Sequence, residues 1–498
     1  MKRFMSGMNK STVNKTMIMA ILTVALLLFF SLIAYFHIRL DKRIDKLAGN
    51  VDTISKDISK KFDKLSANAN YIVYNRQRAS GEREYPNVIL ILNDALRGDC
   101  LGFNGYRDIS TPNLDRFAAR CINFRNAISQ SGHTAPSITS ILTGLYPIEH
   151  QVFDRHRVNK LKQSATTIQA VLRLKGYFTA AYVGSNVRKF REALNRGFYY
   201  VSVSKDSKGE ETLAEVFQFL QMNNHSPYFL LIHIFDPHSP YAPSIPPYYP
   251  EELSRSNRRK LEEGVDVSTK TPFSKINFLN YKREIEELDD RYGRLFDFLF
   301  NSPKSLFDKN KDIIIFTADH GEEFPHENGY YHHGRSPYIE TIRVPLLFYI
   351  PSYTPTTVNR YVENASIFPT ILELLGFGKV YIEELALSTT SLLEFLSAPK
   401  KGGKVTYVLS EAIAIDTHVP EHLEAHESKT LVRSDGYKLI YDTMIKQSRL
   451  FHLKTDPLEE KDLSNLKGYQ PILRELFEQL DKKTNLLYDY RDVSEMIQ

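Results

Sequence analysis

Short apolar runs alternate with amphipathic stretches over much of the chain, and this alternation predicts its secondary structure. Five runs are too short for typical helices and suit strands buried on both faces: 88–92, 179–183, 228–234, 312–317 and 344–349. Residues 167–174, 211–222 and 285–299 carry apolar side chains at helical spacing. Strands that alternate with helices predict a mostly parallel sheet with helices on both faces.

Beyond residue 364 the pattern changes. An apolar helix is predicted at 367–375, ended by Gly376, and strands at 431–442 and 449–453 predict a small antiparallel layer before a last helix at 471–480. Residues 240–272 are rich in Pro, Ser, Tyr and charge. We interpret them as a surface insertion near the active edge that could gate substrate entry.

Residues 17–36 carry no charge and are long enough, as a helix, to span a hydrocarbon core of about 30 Å. A cleaved signal peptide is the alternative, but its apolar region is normally about 7 to 15 residues, and no small-residue cleavage site follows. An uncleaved single-pass anchor is therefore predicted. Basic residues flank both ends, so the positive-inside rule barely decides its orientation. We expect a cytoplasmic N-terminus and a catalytic domain in the periplasm or outside the cell.

Apolar residues recur at steps of three and four after this helix, which predicts a helical stalk at 37–80 that could pair with copies of itself. A lone amphipathic helix lying on the membrane or on the globular domain explains the pattern equally well. The predicted organisation is a tail, a transmembrane helix, the stalk, a catalytic domain and a C-terminal subdomain, at 1–16, 17–36, 37–80, 81–376 and 377–498.

Composition changes this picture little. The formal charge of +5 is small for 498 residues and lies largely in the N-terminal segment, so a nucleic-acid partner is not implied. The two cysteines, Cys100 and Cys121, lack the spacing of a zinc site and cannot form a disulfide framework. One disulfide between them remains open.

Polar side chains follow two predicted strands directly. Asp94 comes after the run 88–92, and Asp319 and His320 come after the run 312–317. Ligands of parallel sheets bind beyond the carboxyl ends of the strands, so we expect these side chains to converge. Thr134, in S-G-H-T-A-P-S-I-T-S-I-L-T-G, stands where a helix with Pro136 in its first turn begins. If that turn faces the same edge, the threonine oxygen completes a four-ligand site.

Such a mixture of oxygen and nitrogen donors suits Zn²⁺ or Mn²⁺ better than Ca²⁺, which prefers oxygen alone. One divalent ion would lower the pKa of the Thr134 hydroxyl and neutralise charge on a bound ester. A helix cap or turn residue is the simpler interpretation of Thr134 or Asp94 taken singly. The set taken together favours a metal site with Thr134 as nucleophile.

Segments spread over residues 86–466 resemble, in order, the sulfatase branch of the alkaline-phosphatase superfamily. They are P-N-V-I-L-I-L-N-D at 86–94, T-P-N-L-D-R-F-A at 111–118, T-A-P-S-I-T-S-I-L-T-G-L-Y-P at 134–147, T-A-D-H-G-E-E at 317–323, H-G-R-S-P-Y-I-E-T-I-R-V-P at 333–345, F-P-T-I-L-E-L-L-G at 368–376 and L-F-H-L-K-T-D-P-L-E-E at 450–460. The resemblance implies an α/β fold, a mostly parallel sheet sandwiched by helices, with a smaller C-terminal α+β subdomain.

The resemblance also implies roles for particular side chains. The implied metal ligands are Asp94, Thr134, Asp319 and His320, with Thr134 also the nucleophile. His333 and His238, the latter in D-P-H-S-P-Y, would contact the ester oxygens or the leaving group. His150 is a weaker candidate for the rim of the pocket.

The chain departs from this family pattern at several positions. Common sulfatases carry a cysteine or serine, oxidised to formylglycine, where this chain has Thr134, and an arginine where it has Ile138. Threonine cannot give the aldehyde hydrate. A second aspartate is replaced by Ala95, and a lysine and histidine expected near Gly184 are replaced by residues 185–187. In having a threonine as nucleophile, the chain resembles the family's membrane-bound phosphotransferases, which move phosphoethanolamine or glycerophosphate between lipids and glycans.

Three functions follow from these observations. The first is a membrane-anchored, metal-dependent hydrolase or transferase that acts on a phosphate-type ester of a glycan or lipid head group through a phosphothreonine. The second is a sulfuric ester hydrolase with an unmodified threonine. The third is an inactive binding module on a stalk that could form homo-oligomers. The residues alone do not distinguish hydrolysis from transfer.

Overall fold

Within the part of the chain that the structure describes, the larger of two β-sheets has nine strands, and the predicted metal ligands Asp94 and Asp319 directly follow two of them. A computed structural model describes residues 85–153, 160–184, 191–204, 209–222, 227–241, 272–324, 333–334, 337–397, 405–415, 425–443 and 445–484. The strands of the large sheet are β1 (Val88–Asn93), β2 (Ile122–Ile128), β3 (Phe178–Val183), β4 (Tyr200–Val203), β5 (Tyr228–Ile234), β6 (Ile313–Ala318), β7 (Arg343–Val344), β8 (Leu346–Tyr349) and β9 (Thr356–Glu363).

Strand order in this sheet is β4-β3-β5-β1-β6-β8-β2-β7, with β9 paired to β2. The first five strands run parallel, and β8 runs antiparallel to β6. Every side chain of β1, β5 and β6 is buried. Because successive side chains of a strand point to opposite faces, both faces of the central sheet are covered. The prediction of a mostly parallel, two-sided α/β sheet is confirmed.

Helices precede or follow most of these strands. They are α1 (Pro112–Ala118), α2 (Thr134–Thr143), α3 (Pro147–His150), α4 (Ile168–Leu174), α5 (Arg191–Asn195), α6 (Glu210–Met222), α7 (Pro272–Asn301), α8 (Ile339–Ile342), α9 (Ile367–Leu374), α10 (Lys379–Glu384) and α11 (Leu393–Ser397). Helices α4, α6, α7 and α9 match the predicted amphipathic stretches, and Gly376 takes the left-handed conformation beyond the end of α9, at φ 77°.

One predicted strand is divided. The apolar run 344–349 forms β7 and β8 on either side of Pro345, both paired with β2. A proline has no N–H to donate to a strand ladder, which accounts for the interruption. Its carbonyl accepts a hydrogen bond from the Thr317 hydroxyl at 2.8 Å, so the break is still tied to β6.

The second sheet is antiparallel, in the order β10 (Tyr407–Ile415), β11 (Ala425–Arg433), β12 (Tyr437–Asp442) and β13 (Gln447–His452). Helix α12 (Gln470–Thr484) packs Leu473, Leu476 and Leu480 against Leu409 and Leu431 of this sheet. The predicted antiparallel layer and last helix are confirmed, whereas β10 was not predicted. The predicted strand 431–442 is divided by a turn at 434–436 into the end of β11 and the whole of β12. Leu392 and Leu396, which follow residue 376, pack in the core of the large sheet.

Several predicted segments lie outside the described residues: the membrane helix 17–36, the stalk 37–80 and most of the insertion 240–272. In the part of the chain that is described, no helix has the length and apolarity needed to cross a bilayer. Cys100 and Cys121 are both buried free thiols, so the disulfide left open by the sequence does not form.

Candidate active site

Asp94 and Asp319 lie side by side at the carboxyl edge of the large sheet. Strands β1 and β6 are parallel neighbours in which Asn93 pairs with Ala318, so the residue after each strand is at the same level. The Asp319 N–H continues the ladder by donating to the Asn93 carbonyl at 3.0 Å. Strand pairing therefore fixes the separation of two carboxylates that are far apart along the chain.

A close turn after Asp319 depends on Gly321. A Cβ at this position would lie 2.1 Å from the Glu340 carbonyl oxygen, and the Gly321 N–H donates to the Thr341 carbonyl at 2.8 Å. The Asp319 Oδ1 accepts hydrogen bonds from the backbone N–H groups of His320, at 2.7 Å, and Ala95, at 3.2 Å. These bonds hold the carboxylate in one orientation.

Asp94, Asp319 and His320 form a buried group that could hold a metal ion, with one donor atom of each lying within 4.8 Å of the others. The Nε2 atom of His320 is 3.4 Å from Asp94 Oδ1 and 3.6 Å from Asp319 Oδ2. No other group of three or more such ligands is found among the described residues.

The His320 ring has the state that a metal ligand requires. Its Nδ1 lies 2.8 Å from the Gly321 carbonyl oxygen, which can only accept, so we assign the proton to Nδ1 and the lone pair to Nε2. Burial lowers the pKa of His320 to about 3, against the opposing effect of Asp94, so the ring is neutral. A neutral imidazole and two carboxylates fit a divalent ion.

Thr134 is the first residue of helix α2 and is only 3% exposed. Its Oγ1 lies 3.1 Å from His320 Nε2, on the side of the imidazole that carries the lone pair. Ser137, one turn later, donates to the Asp319 carbonyl oxygen, as does Ser129. These two serines tie the start of α2 to the edge of the sheet, so the threonine oxygen faces the predicted metal ligands.

His333 and His238 lie beside this group, as predicted. The His333 ring centroid is 4.3 Å from that of His320 and 4.8 Å from that of His238. His333 Nδ1 lies 3.0 Å from Oε1 of Glu322, a buried carboxyl whose pKa is raised by burial. His238 Nδ1 lies 2.6 Å from the Ser239 carbonyl oxygen. The structure thus brings together all six predicted site residues.

Three neighbouring residues were missed by the sequence reasoning. His133 precedes Thr134 directly, and its ring lies 6.0 Å from that of His333. Glu322 contacts His333 and stands two residues after His320. His133 and Glu322 stand in the quoted sequence motifs around Thr134 and His320, and this position was the signal that could have identified them. His233 Nε2 is 4.0 Å from Asp94 Oδ2, but this histidine lies within the apolar run of β5, where nothing in the pattern marks it.

His150 does not lie at the rim of the pocket, and that prediction is wrong. The residue is fully buried against helix α2, with Nε2 3.0 Å from Ser140 Oγ and 3.2 Å from the Pro136 carbonyl oxygen. Its Nδ1 accepts from the Val152 N–H at 3.1 Å. Because apolar residues surround Y-P-I-E-H, the ring lies in the interior, where it contacts the helix that carries Thr134.

This burial predicts a pH effect on stability. Burial lowers the pKa of His150 to about 3, whereas an unfolded chain has a histidine pKa of about 6.5. As the pH falls, His150 is therefore protonated in the unfolded state before it is protonated in the folded state. The contribution of the neutral imidazole to the free energy of unfolding is complete above pH 6.5 and declines as the pH falls toward 3. Between pH 7.5 and 5.5 the free energy of unfolding should fall by about 1 kcal/mol more in the wild type than in His150→Gln. Equal losses in denaturant titrations would contradict this.

Two departures from the family pattern have local explanations. Ile138, on the second turn of α2, is completely buried in the main core, so an arginine there would have to be desolvated. Ala95 has φ 59°, and its N–H donates to Asp319 Oδ1, so this position supports the metal group through its backbone. Residues 185–187 lie outside the described residues.

Comparisons with known proteins agree with this geometry. Residues 86–377 match the family model described as Sulfatase. An ulvan-active sulfatase of Formosa agariphila is 24% identical, with 81% of this chain and 82% of the relative covered.

Two solved structures share the fold. The phosphonate monoester hydrolase of Agrobacterium radiobacter has a TM-score of 0.62 at 19% identity and covers 80% of this chain and 95% of its own. A protein in complex with its substrate D-glucosamine-2-N,6-O-disulfate has a TM-score of 0.62 at 18% identity and covers 81% and 98%. Because the family model spans more than half of the chain, from the first strand to the end of α9, this protein belongs to the sulfatase family and is a hydrolase of that family.

Proposed function

We propose that the protein is a metal-dependent hydrolase of sulfuric esters on a glycan, with Thr134 as its nucleophile. The contact of 3.1 Å between Thr134 Oγ1 and His320 Nε2 carries the proposal, because it places the hydroxyl beside the buried carboxylates of Asp94 and Asp319. Sulfuric ester hydrolysis was the second interpretation of the sequence. The comparisons favour it over phosphoester transfer, since a curated relative is an ulvan-active sulfatase and a structural neighbour binds a sulfated sugar as substrate.

The four side chains Asp94, Thr134, Asp319 and His320 would hold one divalent ion. The mixed donor set favours Zn²⁺ or Mn²⁺ over Ca²⁺. Such an ion would lower the pKa of the Thr134 hydroxyl and draw charge from the ester oxygens. We assign the other steps to the chain itself.

The Thr134 hydroxyl gives up its proton to water, Oγ1 attacks the sulfur atom of the ester, a bond forms between Oγ1 and that sulfur, and the bond between the sulfur and the sugar oxygen breaks. The leaving oxygen needs a proton, and the rings of His238 and His333, 4.8 Å apart, are the nearby donors. Their Nδ1 atoms face the Ser239 carbonyl oxygen and Glu322 respectively, so the Nε2 atoms are the ones that can reach substrate. Water then cleaves the ester of Thr134 and releases sulfate.

Transfer or hydrolysis of a phosphate-type ester is the second candidate. Thr134 favours it, because a threonine cannot supply the aldehyde hydrate with which common sulfatases expel sulfate. A phosphothreonine would then pass its phosphoryl group to water or to an acceptor hydroxyl of a glycan or lipid head group. Anchoring by residues 17–36, with the catalytic domain outside the cytoplasm, is a proposal that suits such substrates.

Parallel assays of the full-length protein separate the candidates. We expect p-nitrophenyl sulfate to be hydrolysed in the presence of Zn²⁺ or Mn²⁺, with little turnover after chelation. Sulfated monosaccharides should release inorganic sulfate under the same conditions. Turnover confined to p-nitrophenyl phosphate or a phosphodiester analogue would overturn the sulfate assignment and support the second candidate. A protein that turns over none of these esters and binds no stoichiometric metal would fit the inactive binding module.

A further inference from the structure

His133 is the one residue between positions 127 and 144 that is not buried. Its neighbours Ser131, Gly132, Thr134 and Ala135 are all enclosed by the fold. The residue that directly precedes the proposed nucleophile is therefore partly exposed, although Thr134 itself is buried.

The backbone of the facing segment makes room for this imidazole. A Cβ at Gly334 would lie 2.5 Å from His133 Cδ2, and Gly334 has φ +86°, which favours glycine. The preceding residue, His333, places its ring centroid 6.0 Å from that of His133 at an interplanar angle of 71°. His133 is thus packed beside a histidine that already belongs to the site.

His133 is the N-cap residue of α2, but its side chain makes no capping hydrogen bond. It also does not belong to the group Asp94, Asp319 and His320 that could hold a metal ion. An imidazole N–H is a good donor to an oxyanion, and the start of a helix adds a positive potential and backbone N–H groups.

We propose that His133 binds the charged oxygens of the sulfuryl group while Thr134 attacks it. Together with His238 and His333, it would hold the ester group between imidazoles from three separate segments of the chain. This inference rests on the proposed function, because it assigns a further substrate contact to the same site. Its chemical prediction is narrower: the pocket binds tetrahedral oxyanions, and His133 contributes to that affinity.

The test is calorimetric titration of the metal-loaded, full-length protein with inorganic sulfate and inorganic phosphate. His133→Ala should weaken the binding of sulfate by about 10- to 100-fold, the effect of losing a hydrogen bond to a charged group. The melting temperature and metal content should match the wild type. The KM for p-nitrophenyl sulfate should rise more than kcat falls, since the contact exists in the bound substrate as well as in the transition state.

His452→Ala is the matched control, because His452 is also partly exposed but lies on β13 of the second sheet. It should bind sulfate as the wild type does. If His133→Ala unfolds, His133→Phe, which keeps a planar ring but has no hydrogen-bond donor, decides the matter. Wild-type affinity for sulfate in a folded variant, or no sulfate binding by the wild type, would overturn the role of His133. Lost sulfate affinity in a protein that hydrolyses no ester would instead refute the proposed function and leave this contact standing.

Discussion

Replacement of Thr134 by valine should reduce ester turnover by about 10⁴-fold or more, the range seen when a catalytic nucleophile is removed. Valine has nearly the shape of threonine but no hydroxyl, so the buried start of α2 should keep its packing. Steady-state kinetics with the ester that the wild type turns over fastest provide the measurement. Thr134→Ser keeps a hydroxyl and should retain a substantial part of the activity.

Thr139→Val is the matched control on the same helix. The Thr139 hydroxyl donates to the Ala135 carbonyl oxygen at 2.7 Å and is completely buried, so it has no route to substrate. This variant should lose some stability and keep its kcat. If Thr134→Val remained active while its fold was intact, Thr134 would not be the nucleophile, and water or another side chain would have to attack the ester.

Asp319→Asn should abolish activity by removing the metal. The amide oxygen can still accept the backbone hydrogen bonds of Ala95 and His320, so the turn is preserved. The negative charge at Oδ2, 3.6 Å from His320 Nε2, is lost. Loss of a hydrogen-bond partner of a metal ligand lowers metal affinity by about 10- to 100-fold. Loss of the ligand charge itself should lower the affinity for Zn²⁺ or Mn²⁺ by more than this. Metal titrations and kcat measured at several metal concentrations test this.

Asp312→Asn provides the control at the opposite end of β6. Asp312 is buried and accepts hydrogen bonds from the Asn87 N–H at 2.8 Å, the Asn87 side-chain amide at 2.9 Å and the Asp308 N–H at 2.8 Å. We expect this variant to lose about 1–3 kcal/mol of stability and to bind metal normally. Equal metal affinity in Asp319→Asn and the wild type would remove Asp319 from the ligand set.

The central strands could be predicted from sequence because the hydrophobic pattern that identifies each of them lies within a few consecutive residues. Strands β1, β5 and β6 are mostly apolar and buried along their whole length, which requires a sheet covered on both faces. Strands such as β2, with the sequence I-N-F-R-N-A-I, mix polar and apolar residues and gave no such signal. Their pairing with distant segments is a tertiary effect that no short window contains.

Part of the site could also be predicted from the sequence. Asp94 and Asp319 come directly after buried parallel strands, so their meeting at one edge followed from topology. The contact of His133 with the segment around Gly334 depends on a backbone conformation that spacing does not encode. His150 misled the prediction because a histidine in a turn can be buried as readily as exposed, and only its contacts with Ser140 and Pro136 decide.

The central claim is that four side chains hold one divalent ion beside a threonine nucleophile. Anomalous diffraction from crystals of the protein grown with Zn²⁺ or Mn²⁺ tests it most directly. We predict one strong peak about 2.0–2.2 Å from ligand atoms of Asp94, Thr134, Asp319 and His320. A peak elsewhere, or no peak between these side chains at saturating metal, would contradict the account.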